Sequence, residues 1–479
     1  MTPTRPFPSL RISSHDIEAQ GAFAEAQAAF LEPDPTTGAR LRAIAAEKGV
    51  GIVAHYYMDP ELQGVLATSG LQHVHISDSL VMADRAVDMA AAGARSIVVL
   101  GVDFMAENVR AVMDSAGYGT IPVYRVASDP IGCSLAEAAD TPDYLQWLQR
   151  AKTLDRGLHV VYINTSLATK AHAHAIMPTI TCTSSNVVST VLAAFAQMPE
   201  IRLWFGPDTY MGQNLRVLFE SLRHLDEQAI RSIHPAHDQS TLRRVVDGFD
   251  YYPRGNCIVH HLFGDEVARR VAGDYADALI TAHLEVPSAM FQLGLAAQRR
   301  GRGVVGSTSD ILGFAARSVE SALARGQTEK LQLVLGTESG MVTSLVRKIQ
   351  SILRTREDVG LSVEIVFPVA DEAVTRTGDV SLPVVPGPAG GDGCSIEGGC
   401  ATCPYMKMNS LDALFALLDR IGGPAAALEP FAPRMRSGQI QGRPLVEWAT
   451  EPIRSMREFT RLGKLPQSLV DDVRTRKAS

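Results

Sequence analysis

The chain has 479 residues, with 45 Lys and Arg against 52 Asp and Glu, for a formal net charge of −7. That length accommodates two to four domains, and a mildly acidic chain without a long basic stripe argues against a nucleic-acid partner. No run approaches the roughly 18 apolar residues of a membrane span, and six cysteines are too few for a disulfide scaffold, so they read as metal ligands, catalytic groups or core residues. The opening stretch, MTPTRPFPSLRISSHDIEAQ, lacks the charged head and apolar segment of a secretory signal, and a cytoplasmic location is the expectation. Residues 1–37 read as an extension with one helical stretch, DIEAQGAFAEAQAAF.

From residue 38 a pattern begins that occurs three times. The first strand-like run, GIVAHYY, ends in His55 and Tyr57; the second, VVYIN, in Tyr162 and Asn164; the third, ALITAHLE, in His283 and Glu285. Residues i and i+2 of a strand point the same way, so each pair faces one place from a strand's carboxyl end. A hydroxyl-rich helix start follows each pair: Ser79 in SDSLVMADRAV, Ser184 in CTSSNVVSTVL and Thr308 in GSTSDILGFAA, placed 24, 22 and 25 residues after the first polar residue. Ser, Thr, Asp and Asn are the residues that cap helix N-termini. A second apolar run then turns at Gly-x-acid, as Gly101 and Asp103, Gly206 and Asp208, Gly336 and Glu338. Each repeat ends at a cysteine in a glycine-containing context: Cys133, Cys257 and Cys403.

This alternation predicts an α/β fold of three similar domains, 38–133, 134–257 and 258–403, each a parallel sheet sandwiched by helices. Open α/β sheets bind ligands outside the carboxyl ends of their strands. A pseudo-threefold arrangement would therefore bring the polar pairs, helix starts and cysteines to one central site. Residues 371–399 are rich in Gly and Pro and read as a long loop. Residues 404–479 form a C-terminal helix, NSLDALFALLDRI, and a charged tail without assigned chemistry.

Three readings compete for the loop GCSIEGGCATCPYMKMN, which holds Cys394, Cys400 and Cys403. A zinc ribbon wants four ligands, usually as two CxxC pairs, and only Cys400/Cys403 is present. A thioredoxin-like pair normally sits at a helix start beside a strand. The third reading takes one cysteine from each repeat, and three soft thiolates suit an iron–sulfur cluster with one iron left open as a Lewis acid. Cys182 reads as a small buried hydrophobe. Cys394 and Cys400 read as spare thiols, a disulfide pair or alternative ligands. GRGVVG at 301–306 matches GxGxxG but precedes a strand, which is the wrong context for a dinucleotide site.

Taken in order, AHYYMDPELQ, SDSLVMA, GVDFMAEN, GCSLAEAAD, YINTS, TSSN, GPDTYMG, GNCIVHHLF, HLE, GSTS and CPYMKMN resemble the quinolinate synthase family over about residues 45–418. The resemblance implies three α/β domains around a central [4Fe–4S] cluster held by Cys133, Cys257 and Cys403. It implies condensation of iminoaspartate with dihydroxyacetone phosphate to quinolinate, phosphate and water in de novo NAD biosynthesis. L-aspartate oxidase or aspartate dehydrogenase would supply the imine. By the same resemblance, His55 and Tyr57 bind substrate and assist proton transfer, and Glu285 is the general acid–base. Tyr162, Asn164 and His283 bind substrate, and the hydroxyls of Ser79, Ser184, Ser307 and Thr308 hold phosphate or carboxylate. The chain departs from the family pattern in three places: Leu284 stands where the family usually has proline, extra residues surround AHAHAIMP at 171–178, and both ends are long.

The implied chemistry suits these residue types. Helix N-termini with hydroxyls receive anions without a Lys/Arg cluster. A His and a Glu on strand ends shuttle protons, and Tyr57 and Tyr162 donate hydrogen bonds to developing oxyanions. Two rival readings are an iron–sulfur hydro-lyase acting on another hydroxy acid and a non-catalytic iron–sulfur sensor or structural zinc protein. The hydro-lyase would not need the phosphate-binding helix starts, and the sensor would not need the His/Glu/Tyr constellation.

Overall fold

The computed structural model describes residues 6–153, 157–368, 403 and 405–476. Cys394 and Cys400, with the Gly/Pro-rich stretch 371–399, lie outside the described residues. The strands of the three large sheets are β1 (Ser9–Ile12), β2 (Ile17–Gln20), β3 (Val50–His55), β4 (Val74–Ser77), β5 (Ser96–Leu100), β6 (Val123–Arg125) and β7 (Gly157–Tyr162). Then follow β8 (Thr179–Cys182), β9 (Arg202–Gly206), β10 (Phe249–Tyr251), β11 (Leu279–His283), β12 (Gly303–Gly306), β13 (Leu331–Gly336) and β14 (Val363–Val366).

Twelve of these strands make three four-stranded parallel arrays in one order. β4-β3-β5-β6 is the first, β8-β7-β9-β10 the second and β12-β11-β13-β14 the third. In each, the strand that starts the array lies between the two that follow it, which opens a crevice at its carboxyl end. The registers agree as well: His55 pairs with Ser77, Tyr162 with Cys182 and His283 with Gly306. The last residues of β3, β7 and β11 thus hold equivalent places, as the threefold sequence pattern predicts.

Helices cover both faces of these sheets, so the central strands are continuous apolar runs instead of alternating ones. VGIVAH in β3 and GLHVVY in β7 are buried at every position. The segment before residue 38 is less helical than its sequence suggests. It forms β1 and β2, which extend the third sheet antiparallel from β14, and the helix Ala22–Ala29. GRGVVG supplies β12 itself, so its glycines do not form a phosphate loop.

The C-terminal tail has a structural task. The helix Leu445–Leu462 lies along the helix Leu167–Ile176 and beside β8. His174 Nε2 lies 2.7 Å from Glu451 Oε2, Arg443 donates to Glu451 Oε1 at 2.6 Å, and Trp448 meets His174 edge-on at 5.5 Å. The helix at 167–176 and the long tail therefore pack on each other.

This contact is pH-dependent. The hydrogen bond with His174 comes first, and with Arg443 it outweighs burial to hold the Glu451 carboxyl at about 2, below its ordinary 4.5. A lowered native value stabilises above the ordinary pKa and is lost as pH falls through the native one. Glu451→Gln should lower the thermal midpoint by about 1–3 °C at neutral pH. Melting curves of the two proteins should converge as pH drops from 4.5 toward 2.

Candidate active site

The carboxyl ends of all three sheets open on one cavity. The first array contributes His55, Tyr57, Ser79 and Cys133; the second contributes Tyr162, Asn164, Ser184 and Cys257; the third contributes His283, Glu285 and Thr308, joined by Cys403. Ser307 is not among the lining residues. It caps the helix Thr308–Ala324, accepting from Asp310 N and donating to Asp310 Oδ2 at 2.7 Å, so the wall receives Thr308 alone. Ser79 is the first residue of its helix, with Asp78 as the cap. Ser184 sits in the turn before the helix Val187–Gln197.

Glu285 is the centre of the polar network. It is 3% exposed and touches groups from two sheets. Tyr162 donates its hydroxyl to Oε1. His260 Nδ1 lies 3.0 Å from Oε2, and His283 Nδ1 lies 3.9 Å from Oε1. The rings of His260 and His283 stack with centroids 5.0 Å apart. His260 Nε2 then lies 3.4 Å from Thr337 Oγ1, which is 3.2 Å from the Tyr57 hydroxyl, itself 2.6 Å from Thr308 Oγ1. One chain of contacts thus runs from β7 through Glu285 to the residues after β3.

Burial and partners set the charges. Burial pushes the Glu285 carboxyl up, but the His260 ring and the Tyr162 hydroxyl together outweigh it and hold the group below the usual carboxylate range. Burial lowers His55 to about 4 and His283 to about 3, so both rings are neutral near pH 7. Their tautomers follow from backbone bonds: Tyr57 N–H donates to His55 Nδ1 at 3.2 Å, and Glu285 N–H to His283 Nδ1 at 3.3 Å. In each neutral ring Nε2 therefore carries the proton. The Glu338 carboxyl is pushed in the opposite direction to Glu285, upward, by burial.

The three cysteines share a local design. Each starts a helical turn, with Cys133 before the helix Ser134–Ala139, Cys257 before the turn His260–Leu262 and Cys403 before the turn Met406–Met408. Each carbonyl accepts the N–H four residues on, from Glu137, His261 and Lys407. Backbone N–H groups of each turn also face the sulfur and favour the thiolate. Burial opposes them, raising Cys133 to about 12 and the other two well above the usual range. Thiols that are half-buried, unpaired in disulfides and set on such turns suit a soft cation, which would ionise them on binding. Cys257, His260 and Glu285 also place one donor atom each within 4.8 Å of one another.

His260 and Glu338 matter more than their sequence positions suggest. His260 follows a cysteine within GNCIVHH and belongs to none of the repeated strand pairs. The three Gly-x-acid turns take different tasks. Asp103 pairs with buried Arg125 at 2.7 Å, Asp208 caps the helix Thr209–Leu222, and Glu338 lines the cavity and accepts the Cys403 N–H at 2.7 Å. Lys170, fully buried, donates to the carbonyls of Ile163 at 3.0 Å and of Thr165, bracketing Asn164. Its signal was the single Lys, Arg, Asp or Glu of the helix Leu167–Ile176.

Three half-buried thiols and a buried carboxylate facing His and Tyr line one cavity at the strand ends of repeated parallel sheets, the layout of an α/β enzyme's active site. Residues 39–361 match the model of the family described as quinolinate synthetase A protein. The chain is 51% identical to quinolinate synthase, chloroplastic, of Arabidopsis thaliana over 98% of this chain and 67% of that protein. It is 48% identical to the protein of the same description in Oryza sativa subsp. japonica, over 98% of this chain and 69% of that one. A quinolinate synthase of Prochlorococcus marinus is 26% identical over 81% of this chain and 86% of its own length. The chain belongs to the quinolinate synthetase A protein family, and it spans about two thirds of the plant relatives' length. The expected cytoplasmic location is corrected by this comparison: the relatives matched across nearly the whole chain are chloroplastic. Among the described residues no helix is long and apolar enough to cross a membrane.

Gly340 tests how closely the wall of this cavity is packed. A Cβ there would lie 2.7 Å from Tyr57 Cα, a backbone atom unable to give way. Gly340→Ala should displace Tyr57 and cost about 1–3 kcal/mol, read as a fall of roughly 2–8 °C in thermal midpoint.

Proposed function

We propose that the chain condenses iminoaspartate with dihydroxyacetone phosphate, releasing phosphate and water and yielding quinolinate for NAD biosynthesis. The observation that carries this reading is the convergence on one cavity of a thiol from each of three helical turns and a carboxylate held by His260 and Tyr162. Cys133, Cys257 and Cys403 would hold a [4Fe–4S] cluster, which when bound supplies Lewis acidity at an iron without a protein ligand. The three arrays support a division at 38–133, 134–257 and 258–403, each closing on one of these cysteines.

The protein's own groups account for the remaining needs. Both substrates are anions, yet no Lys or Arg is among the described residues lining the cavity. Ser79 and Thr308 sit at helix N-termini, and Ser184 lies just before another. The hydroxyls there receive phosphate and carboxylate oxygens, aided by the helix dipoles. His55 and His283 each present a protonated Nε2, a donor that orients a carbonyl without carrying charge. The Tyr57 hydroxyl stays protonated and donates to oxygen as negative charge develops. Glu285, kept ionised, takes a proton from a substrate carbon or hydroxyl at a carboxylate oxygen and returns it later in the sequence. The imine is unstable in water, so an aspartate-oxidising enzyme such as L-aspartate oxidase or aspartate dehydrogenase must supply it.

The test is quinolinate formation by protein purified and reconstituted without oxygen, given dihydroxyacetone phosphate and freshly generated iminoaspartate. Cys133→Ser, Cys257→Ser and Cys403→Ser should each abolish product and lower bound iron. Glu285→Gln should reduce turnover at least ~100-fold with iron content unchanged. Wild-type protein carrying about four irons per chain but forming no product would refute the synthase and favour a hydro-lyase.

A further inference from the structure

Asn214 lies in the helix Thr209–Leu222, which follows β9 of the second sheet, yet its side chain serves the third. Nδ2 donates to the carbonyl of Leu284 at 2.9 Å and to that of Val286 at 2.7 Å. These are the two peptide carbonyls flanking Glu285. Asn214 is fully buried, and its Oδ1 has no partner among the described residues. A buried amide that leaves its acceptor unused is held by what its donors reach. The orientation is unambiguous, because the flipped amide would set an oxygen against two carbonyl oxygens.

Other bonds complete the hold on this segment. Leu284 N–H donates to Gly306 O at 3.1 Å. Glu285 N–H is held by His283 Nδ1. The bonds from Gly306 and His283 are internal to the third array. Asn214 alone among these partners reaches across from the second, which also supplies Tyr162 to the Glu285 carboxylate.

We infer that Asn214 is a positioning residue: by gripping both carbonyls around Glu285 it fixes the angle at which the carboxylate meets Tyr162, His260 and the substrate. The inference deepens the synthase reading and rests on it for the role of Glu285. Without the grip, two buried carbonyls must turn to find other donors, and the Glu285 peptide turns with them.

The test compares Asn214→Ala and Asn214→Asp with Phe219→Leu, a packing change in the same helix against Phe249, all reconstituted without oxygen. Both Asn214 variants should lower kcat about 10- to 100-fold, the scale of an ångström-level misplacement, with KM for both substrates within about threefold and iron content unchanged. Amides of residues 283–287 should exchange with deuterium about tenfold or more faster in Asn214→Ala than in wild type. Phe219→Leu should lower the thermal midpoint without the kcat loss or the local exchange. Unchanged kcat in the Asn214 variants, or an equal loss in Phe219→Leu, overturns the inference. So does failure of both Asn214 variants to fold while Phe219→Leu folds, since the side chain would then serve stability alone. If wild type forms no quinolinate, the synthase reading fails and the exchange of residues 283–287 decides the positioning claim by itself: faster exchange in Asn214→Ala upholds it, and equal exchange overturns it.

Discussion

A carboxylate removed from water has to be answered by its neighbours, and Glu285 sets that condition for the whole molecule. An isolated buried charge costs several kcal/mol or more. Here Tyr162 comes from the end of the second sheet's first strand, His260 from the turn that begins at Cys257, and Glu285 from the segment after β11. None of these groups is close in sequence to all the others. They meet only if the sheets face one another with their strand ends inward. The arrangement of the sheets and the ionisation of one side chain are therefore a single requirement.

The same requirement explains the composition of the cavity. Cationic side chains near Glu285 would pair with it and take up the space of the substrate. Among the described residues the wall instead uses neutral rings, hydroxyls and the amide ends of helices. These groups bind anions by direction more than by net charge. The thiols follow the same logic, since each sits on a turn whose N–H groups favour sulfur as an anion while burial resists it.

The threefold pattern was legible because its parts obey two periodicities at once, i and i+2 along a strand and one helix start after each strand. That was enough to bring His55, Tyr162, His283 and Glu285 to one place. His260 escaped because a helical turn after a cysteine has no strand partner to mark it. Ser307 and Thr308 looked equivalent as hydroxyls, but a cap turns inward to its own helix while the next residue faces the cavity. β1 escaped because its partner β14 lies more than 300 residues away, and β2 pairs only with β1. Location was misread because lack of a secretory signal says nothing about plastid import, whose targeting segments are amphipathic and have no apolar core.

The helix Leu445–Leu462 has a consequence for how the chain is made. It adds Ala449, Ile453 and Met456 to the core that also holds Ile180 and Val187 of the second array. During synthesis the ribosome completes that sheet hundreds of residues before the helix which covers it emerges. For that interval, at about 5–20 residues per second, the nascent second array carries an uncovered apolar flank. A chain released before residue 403 would thus expose an adhesive surface at the same time as it lacks Cys403, so termination there should yield protein prone to capture by chaperones.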